Sequence, residues 1–212
     1  MRKYPVITFE GGEGSGKTSM IEVAKAFLES KGIPVMVTRE PGGVRISEKV
    51  REIILDPDHT EMDARTEALL YASARRQHLS QKVLPAIQEG KLVLMDRFVD
   101  SSVVYQGYVR GIGMEEVAKL NEFAVADFTP DITLFFDVDP EVGLDRIKQN
   151  SDREFNRLDR EAMDFHFKVQ EGYYIMRDKY PQRIVTIDAN ASIEEVGAQI
   201  IEVLKKKLFS GE

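Results

Sequence analysis

The sequence contains no cysteine, which excludes a disulfide framework and a metal site built from thiolates. This absence suits a reducing compartment, and we expect the protein to be cytoplasmic. No apolar run approaches the ~18 residues of a membrane span, and the charged start Met-Arg-Lys-Tyr-Pro leads into no signal-peptide core. A surplus of positive charge is missing as well. The formal net charge is −7, which argues against nucleic acid or a membrane as the main partner.

Linker-like stretches, internal repeats and low-complexity segments are also missing, and 212 residues can bury the core of one domain. Five short apolar runs predict strands that are buried on both faces, at residues 6–9, 35–38, 92–95, 132–137 and 184–187. Helical patterns lie between these runs. The alternation predicts a single α/β domain over residues 1–212, a three-layer sandwich with a five-stranded parallel sheet between helices.

Short polar side chains indicate where helices begin, because they accept hydrogen bonds from the free N–H groups of a first turn. We predict such caps at Ser47, for a helix that ends near residue 55, and at Asp63, for a longer helix. Asp139 followed by proline, and Ser192 at the start of a capping box, predict two further helix starts. These helix starts also define the loops that connect each strand to the next helix. In a parallel sheet, ligands bind at the loops that follow the carboxyl ends of the strands.

Residues 11–18 match the phosphate-binding pattern G-x-x-x-x-G-K-[ST] directly after a predicted strand. Glycines permit the backbone angles that turn successive N–H groups toward one anion, and the following helix adds its partial positive charge. We expect Lys17 to reach the outer phosphates of a nucleoside triphosphate and the Thr18 hydroxyl to bind its Mg²⁺. The residues predicted to bind this nucleotide are Gly11, Gly12, Glu13, Gly14, Ser15, Gly16, Lys17 and Thr18.

Two other classes of protein use such a loop. A regulatory GTPase needs an Asn-Lys-x-Asp guanine motif and an Asp-x-x-Gly switch, and neither occurs. A nucleotide-gated binding or partition module would hydrolyse ATP to control a partner, and it has no use for a second pocket that reads a base. Charged residues and glycines also follow the other predicted strands, at 38–43, 96–97 and 188–190. They indicate a larger site at the carboxyl ends of the strands.

Five motifs in a fixed order resemble those of bacterial thymidylate kinases: Phe-Glu-Gly-x-Glu-Gly-x-Gly-Lys-Thr, Thr-Arg-Glu-Pro-Gly-Gly, Asp-Arg-Phe, Tyr-Gln-Gly and Asn-Arg-Leu-Asp. The resemblance implies transfer of the ATP γ-phosphate to dTMP with Mg²⁺, giving ADP and dTDP for dTTP synthesis. It also implies a homodimer, a sheet order of 2-3-1-4-5 and a short lid over ATP at about residues 146–160. The alternative within this class is a kinase for another monophosphate, such as dUMP or dCMP.

A phosphate acceptor needs no general base, because its oxygens are largely ionised at neutral pH. The reaction needs two polyanions held in line and their repulsion neutralised. The resemblance places Arg97 between donor and acceptor phosphates and Asp96 near Mg²⁺ and its waters, with Lys17 on the donor. Without the resemblance, Arg97 is equally well interpreted as a structural ion pair with Asp96. The variable positions of the loop lack a basic residue, so we expect Arg153 to supply this charge from the lid.

The resemblance also assigns the acceptor nucleotide. Tyr71 and Arg75 are four residues apart on one helical face and match a ring that stacks on thymine and an Arg that donates to a thymine carbonyl oxygen. Gln106 both donates and accepts, which suits the imide edge of thymine. The family's equivalent of Tyr105 disfavours ribose. The residues expected at dTMP are Glu13, Arg39, Glu40, Arg51, Tyr71, Arg75, Arg97, Ser102, Tyr105 and Gln106.

Several of these residues have an ordinary interpretation when each is taken alone. Arg39 and Glu40 fit a turn with solvated charges, and Arg51 fits a surface helix. Glu13 is a carboxylate inside a phosphate loop, so it either faces away from the triphosphate or binds something else. The resemblance supports the second choice, with Glu13 at the deoxyribose 3′-hydroxyl or at a metal near the acceptor.

Overall fold

All five predicted strands form one parallel sheet. The computed structural model describes residues 2–149 and 157–209, without the side chains of residues 159 and 160. The strands are β1 (Val6–Gly11), β2 (Val35–Arg39), β3 (Leu92–Asp96), β4 (Ile132–Asp137) and β5 (Ile184–Asp188). Their order in the sheet is β2-β3-β1-β4-β5, as the resemblance implied.

Helices cover both faces of the sheet. The α-helices are α1 (Lys17–Ser30), α2 (Arg45–Leu55), α3 (Ala64–His78), α4 (Leu84–Gln88), α5 (Val99–Ser102), α6 (Met114–Val125), α7 (Pro140–Gln149), α8 (Met163–Lys179) and α9 (Ile193–Leu208). A π-helical turn at Leu79–Val83 joins α3 to α4, and another at Val103–Val109 extends α5. A 3₁₀ turn occupies Arg157–Arg160. Within the described ranges, no helix has the length and apolar character needed to cross a membrane.

Alternate strand residues enter opposite layers of the core. Ile7 and Phe9 of β1 pack with α1 and α9, whereas Val6 packs with α3 and α6 on the other face. In β4, Phe136 stacks on Phe9 with ring centroids 5.8 Å apart. The side chains of Val6, Ile7, Phe9 and Phe136 are all fully buried. Each such side chain contributes about 2 kcal/mol of burial free energy. The central strands β1, β3 and β4 are buried on both faces, which explains why their sequences show little alternation. The edge strands β2 and β5 are only partly buried, so the predicted burial on both faces is wrong for these two.

Three of the four predicted helix caps are confirmed. The Asp63 carboxylate accepts two hydrogen bonds, each 3.0 Å long, from backbone N–H groups of the first turn of α3. Asp139 accepts from the N–H of Glu141 at 2.9 Å, at the start of α7. Ser192 and Glu195 form a complete capping box at α9. These starts are local in sequence, which is why the pattern alone identifies them.

The cap predicted at Ser47 is wrong. Helix α2 begins earlier, at Arg45, and Ser47 lies inside it. The Ser47 hydroxyl is fully buried and donates to the carbonyl oxygen of Ala74 at 2.8 Å. The hydroxyl therefore forms its hydrogen bond with a different helix and connects α2 to α3.

The parallel register brings the functional loops to one edge of the sheet. Asp96 at the end of β3 pairs with Phe9 of β1 on one side and with Arg39 of β2 on the other. Gly11 of β1 pairs with Phe136 of β4. The carboxyl ends of these strands are therefore adjacent, and the residues that follow them face a common space.

Candidate active site

The phosphate-binding loop is packed against α7. Gly14 has a φ of +69°, and a Cβ atom there would lie 2.0 Å from the carbonyl oxygen of Gly143. Gly143 itself lies close to the backbone of the loop, where its own Cβ would be 2.4 Å from the Glu13 carbonyl oxygen. Only glycine fits either position. At Gly14 both the backbone angle and the close contact exclude a side chain, and at Gly143 the close contact excludes it. The loop therefore packs tightly against α7 at these two glycines.

Lys17 lies folded over the loop. Its ammonium group donates to the carbonyl oxygens of Gly11 and Gly12, at 3.1 and 2.8 Å, and to the Ser15 hydroxyl at 2.9 Å. Burial and the nearby Arg97 guanidinium lower the pKa of Lys17 to about 8. A phosphate anion in this place would supply the negative charge that this buried ammonium group needs.

Thr18 and Asp96 meet at the mouth of the loop. The Thr18 hydroxyl donates to the Asp96 carboxylate at 3.3 Å. Both residues line an open cavity of about 350 Å³ above the loop, together with Lys17 and Arg97. A hydroxyl and a carboxylate are the hard oxygen ligands that Mg²⁺ prefers. The residues that were predicted to hold the metal therefore fit it.

Arg97 has an unusual backbone conformation. Its φ is +65°, in the left-handed region that non-glycine residues seldom adopt. The guanidinium donates to the Gly11 carbonyl at 3.0 Å, to the Ser101 hydroxyl at 3.2 Å and to the Glu13 carboxylate at 2.7 Å. Among the described residues its ion-pair partner is Glu13 and not its neighbour Asp96. The conformation thus turns Arg97 away from the strand end and toward the loop.

A second cavity, of about 240 Å³, lies on the other side of Arg97. All ten residues that were predicted at dTMP line it, together with the apolar side chains of Leu55, Phe98 and Leu158. Glu13 faces this cavity and accepts from the Tyr105 hydroxyl at 3.2 Å. Burial and the Glu67 carboxylate raise the pKa of Tyr71 to about 12, so its phenol stays neutral. The structure brings the predicted residues together, and their contacts with a nucleotide stay a prediction.

Arg75 is held rigidly in the wall of this cavity. Its side chain is 2% exposed and donates to Glu40 at 2.7 Å and to the Ser102 hydroxyl at 3.0 Å. It also donates to the Asn121 amide oxygen. The second Glu40 oxygen lies 3.0 Å from His78 Nδ1, and because a carboxylate only accepts, that nitrogen carries the proton. One Glu40 oxygen thus holds Arg75, and His78 holds the other.

Arg39 and Arg51 flank the loop that follows β2. Each donates to the carbonyl oxygen of Pro41, at 2.9 and 3.3 Å. Arg39 also forms an ion pair with Glu48 at 3.1 Å, and Glu48 accepts from the N–H of Gly43 at 2.6 Å. The loop is therefore tied to α2. Two guanidinium groups line the same end of the second cavity, where an anionic group can be bound.

The lid prediction is only partly within the described ranges. Arg153 lies outside the described residues. Arg146, at the start of the predicted lid, belongs to α7 and donates to the Ala189 carbonyl at 2.9 Å. Beside it, a third cavity of about 200 Å³ has a mostly apolar lining that includes Ala189, Ile193 and Val196.

Comparison with known proteins decides the family. A family model named thymidylate kinase matches residues 9–200. The chain belongs to the thymidylate kinase family. It is 54% identical over 201 residues to the thymidylate kinase of Geobacillus sp. (strain WCH70), covering 95% of this chain and 96% of that protein. It is 56% identical over 208 residues to the thymidylate kinase of Halalkalibacterium halodurans, covering 98% and 99%.

A solved structure shows the same fold. The crystal structure of thymidylate kinase from Ehrlichia chaffeensis matches with a TM-score of 0.76 and 33% identity, over 95% of this chain and 98% of that one. The resemblance found in the five motifs is confirmed, and the GTPase and partition-module alternatives are set aside. Thymidylate kinases phosphorylate dTMP to dTDP with ATP.

Sequence reasoning missed a buried residue that supports this thymidylate kinase site from below. Glu10 is fully buried and accepts from the Phe98 N–H at 2.7 Å, from the Ser101 hydroxyl at 2.5 Å and from the Tyr173 hydroxyl at 2.9 Å. Burial, reinforced by the Asp100 carboxylate, raises the pKa of Glu10 to about 7. Its hydrogen bond to the residue after Arg97 supports the left-handed turn. The available signal was a carboxylate inside an apolar strand.

Proposed function

We propose that this chain transfers the γ-phosphate of ATP to dTMP directly, with both nucleotides bound at once in two adjoining cavities. One observation carries this proposal. Glu13, Thr18, Asp96 and Arg97 line both the cavity above the loop and the cavity of predicted dTMP residues. Donor and acceptor phosphates placed in the two cavities would therefore meet at Arg97, as in-line transfer requires.

The donor side is built on the loop. Its eight residues, from Gly11 to Thr18, surround the triphosphate, with Lys17 on the outer phosphates. The adenine ring fits the apolar third cavity beside Arg146, whose guanidinium is fixed by the Ala189 carbonyl. Thr18 would hold Mg²⁺ directly and Asp96 through water. When bound, the ion neutralises charge on the transferring phosphoryl group.

The chemical step needs no general base on this chain. Arg97 presents a guanidinium fork to two phosphate groups, which a lysine ammonium does not match in geometry. We assign Arg153 of the lid the remaining positive charge on the donor side, because the loop has none at its variable positions. Closure of a lid at residues 146–160 would exclude water, which otherwise competes with dTMP for the γ-phosphate.

The acceptor cavity binds dTMP through both its phosphate and its base. Arg39, Arg51 and Arg97 bind its phosphate. Tyr71 stacks on the base, and Arg75 donates to a thymine carbonyl oxygen. At the sugar, Tyr105 crowds the 2′ position and Glu13 meets the 3′-hydroxyl. Glu40 and Ser102 hold Arg75, as their hydrogen bonds indicate.

We further infer that the protein is a cytoplasmic homodimer of single-domain chains. Helices α3 and α6 pack together, and each leaves a large apolar side chain in solvent. Leu69 is 58% exposed and Phe123 is 90% exposed. A second copy that covers this surface would bury both side chains, which an isolated chain leaves in water.

A coupled assay of ADP release tests the proposed substrate. ATP and Mg²⁺ are supplied with dTMP, dUMP, dCMP or no acceptor. We expect dTMP to be preferred by a wide margin and no release without acceptor. Equal rates with all three monophosphates, or release in the absence of an acceptor, would contradict the proposed function.

A further inference from the structure

The amide of Gln106 has a defined polarity. Gln106 is 2% exposed and lines the acceptor cavity. Its Nε2 donates to Oε1 of Glu67 at 2.8 Å. Because a carboxylate accepts and never donates, the nitrogen must face Glu67 and the carbonyl oxygen must face the other way. Within the described part of the chain, that oxygen has no hydrogen-bond partner, so Gln106 presents an acceptor to the cavity.

Glu67 is itself held in place by charge. Its side chain is 2% exposed, and its second oxygen is paired with the Arg157 guanidinium. Arg110 lies 3.6 Å from the first oxygen and is anchored in turn by Glu161 at 2.6 Å. A buried carboxylate is costly unless it is paired, and these two guanidinium groups pair with it and hold it in position. A flipped Gln106 amide would bring two oxygens together, which this arrangement excludes.

We propose that Glu67 is a positioning residue that fixes Gln106 as a hydrogen-bond acceptor toward the base and thereby selects an imide over cytosine. Thymine and uracil carry a proton on N3 and can donate to this oxygen, whereas N3 of cytosine is itself an acceptor. The inference rests on the proposed function, since it concerns the base of the acceptor nucleotide. A glutamine amide can in general donate to a base or accept from it, whereas Gln106 held by Glu67 can only accept.

Arg75 complements this acceptor from the same cavity. Its guanidinium is a donor fixed by Glu40, and it lies on the wall shared with Gln106. A donor and an acceptor of fixed polarity match the carbonyl and N3–H of an imide and mismatch the amino group and bare N3 of cytosine. Loss of Glu67 leaves Arg75 in place. We therefore expect a partial loss of discrimination, about tenfold, rather than a complete one.

The test is the Glu67→Gln variant, because an amide at position 67 can accept from the Gln106 nitrogen or donate to the Gln106 oxygen and therefore permits both orientations. The ratio of kcat/KM for dTMP over dCMP should fall about tenfold, mainly through a higher KM for dTMP. The ratio for dTMP over dUMP should stay unchanged, because both bases present the same imide edge. As a matched control, Glu161→Gln makes the same chemical change in the same network without touching Gln106, and it should alter neither ratio.

Two further variants separate positioning from structural damage. Gln106→Leu should lower the dTMP-to-dCMP ratio, and adding Glu67→Gln to it should lower the ratio no further. Glu67→Asp keeps the acceptor and should retain the preference for dTMP, which covers the case in which Glu67→Gln fails to fold. An unchanged ratio in a folded Glu67→Gln enzyme, an equal fall in Glu161→Gln, a loss of preference in Glu67→Asp, or additive losses in the double variant would each overturn the inference. A wild-type enzyme with no preference for dTMP over dCMP would refute the proposed function instead.

Discussion

Replacement of Arg97 should lower the catalytic rate far more than it lowers the stability of the fold. In Arg97→Ala the chain loses three side-chain hydrogen bonds, to Gly11, Ser101 and Glu13, of which the last is a short ion pair. The side chain is 18% exposed, so water replaces part of what is lost. The net cost to folding is about 1–2 kcal/mol, which in a chain of this size lowers Tm by about 3–6 °C. The backbone strain at position 97 is unchanged, because alanine also has a Cβ.

The cost to catalysis should be larger. Removal of one preorganised donor from a transition state lowers kcat by about 10²–10³-fold, equal to about 3–4 kcal/mol. Arg97→Lys keeps the positive charge but offers one nitrogen in place of the fork, so we expect it to lose most of this rate as well. The assay is kcat and KM for both nucleotides by ADP release, alongside thermal unfolding. A kcat within about threefold of wild type in both variants, or loss of cooperative unfolding, would refute the assignment.

Three further predictions concern other parts of the molecule. Burial raises the pKa of Glu10 to about 7 from an ordinary value of 4.5, so the folded state holds the extra proton and stability should fall as pH rises between these values. Glu10→Gln should flatten that part of the Tm profile, and an unaltered slope would contradict this. Burial lowers the pKa of Lys17 to about 8, so ATP binding above pH 8 should take up a proton, seen by calorimetry in buffers of different ionisation enthalpy; binding without uptake would contradict it. Phe123→Glu should convert a dimer to a monomer in light scattering, whereas Phe167→Glu, at a side chain that is 43% exposed on α8, should not. A wild-type monomer, or a Phe123→Glu dimer, would refute the assigned face.

Local patterns predicted the parts of this molecule that depend on neighbouring residues. The predicted starts of all five strands agree with the structure, and the three central strands are apolar because both of their faces are buried. Asp63 and Ser192 cap helices through bonds to residues two or three positions away. The glycines of the loop are required by backbone angles that the pattern encodes, as at Gly14.

Long-range partners explain what the sequence did not predict. Ser47 was interpreted as a cap because nothing near it in the sequence indicates its true partner, the Ala74 carbonyl on α3, which lies 27 residues away. Glu67 and Gln106 are 39 residues apart, so nothing local indicates that one orients the other. The left-handed φ of Arg97 also leaves no mark in the pattern, since it depends on Glu10 in a separate strand. The π-helical turn at Val103–Val109 changes the backbone hydrogen bonds without changing the apolar spacing enough to reveal it.

A single-turnover experiment with ATP labelled in the γ-phosphate tests whether the phosphoryl group passes directly between the two bound nucleotides. Enzyme in excess over labelled ATP is mixed with Mg²⁺ and dTMP, and the products are separated after quenching. We expect the label to pass to dTDP, with negligible label in inorganic phosphate or on the protein. Label that appears in inorganic phosphate at the same rate with and without dTMP would contradict direct transfer.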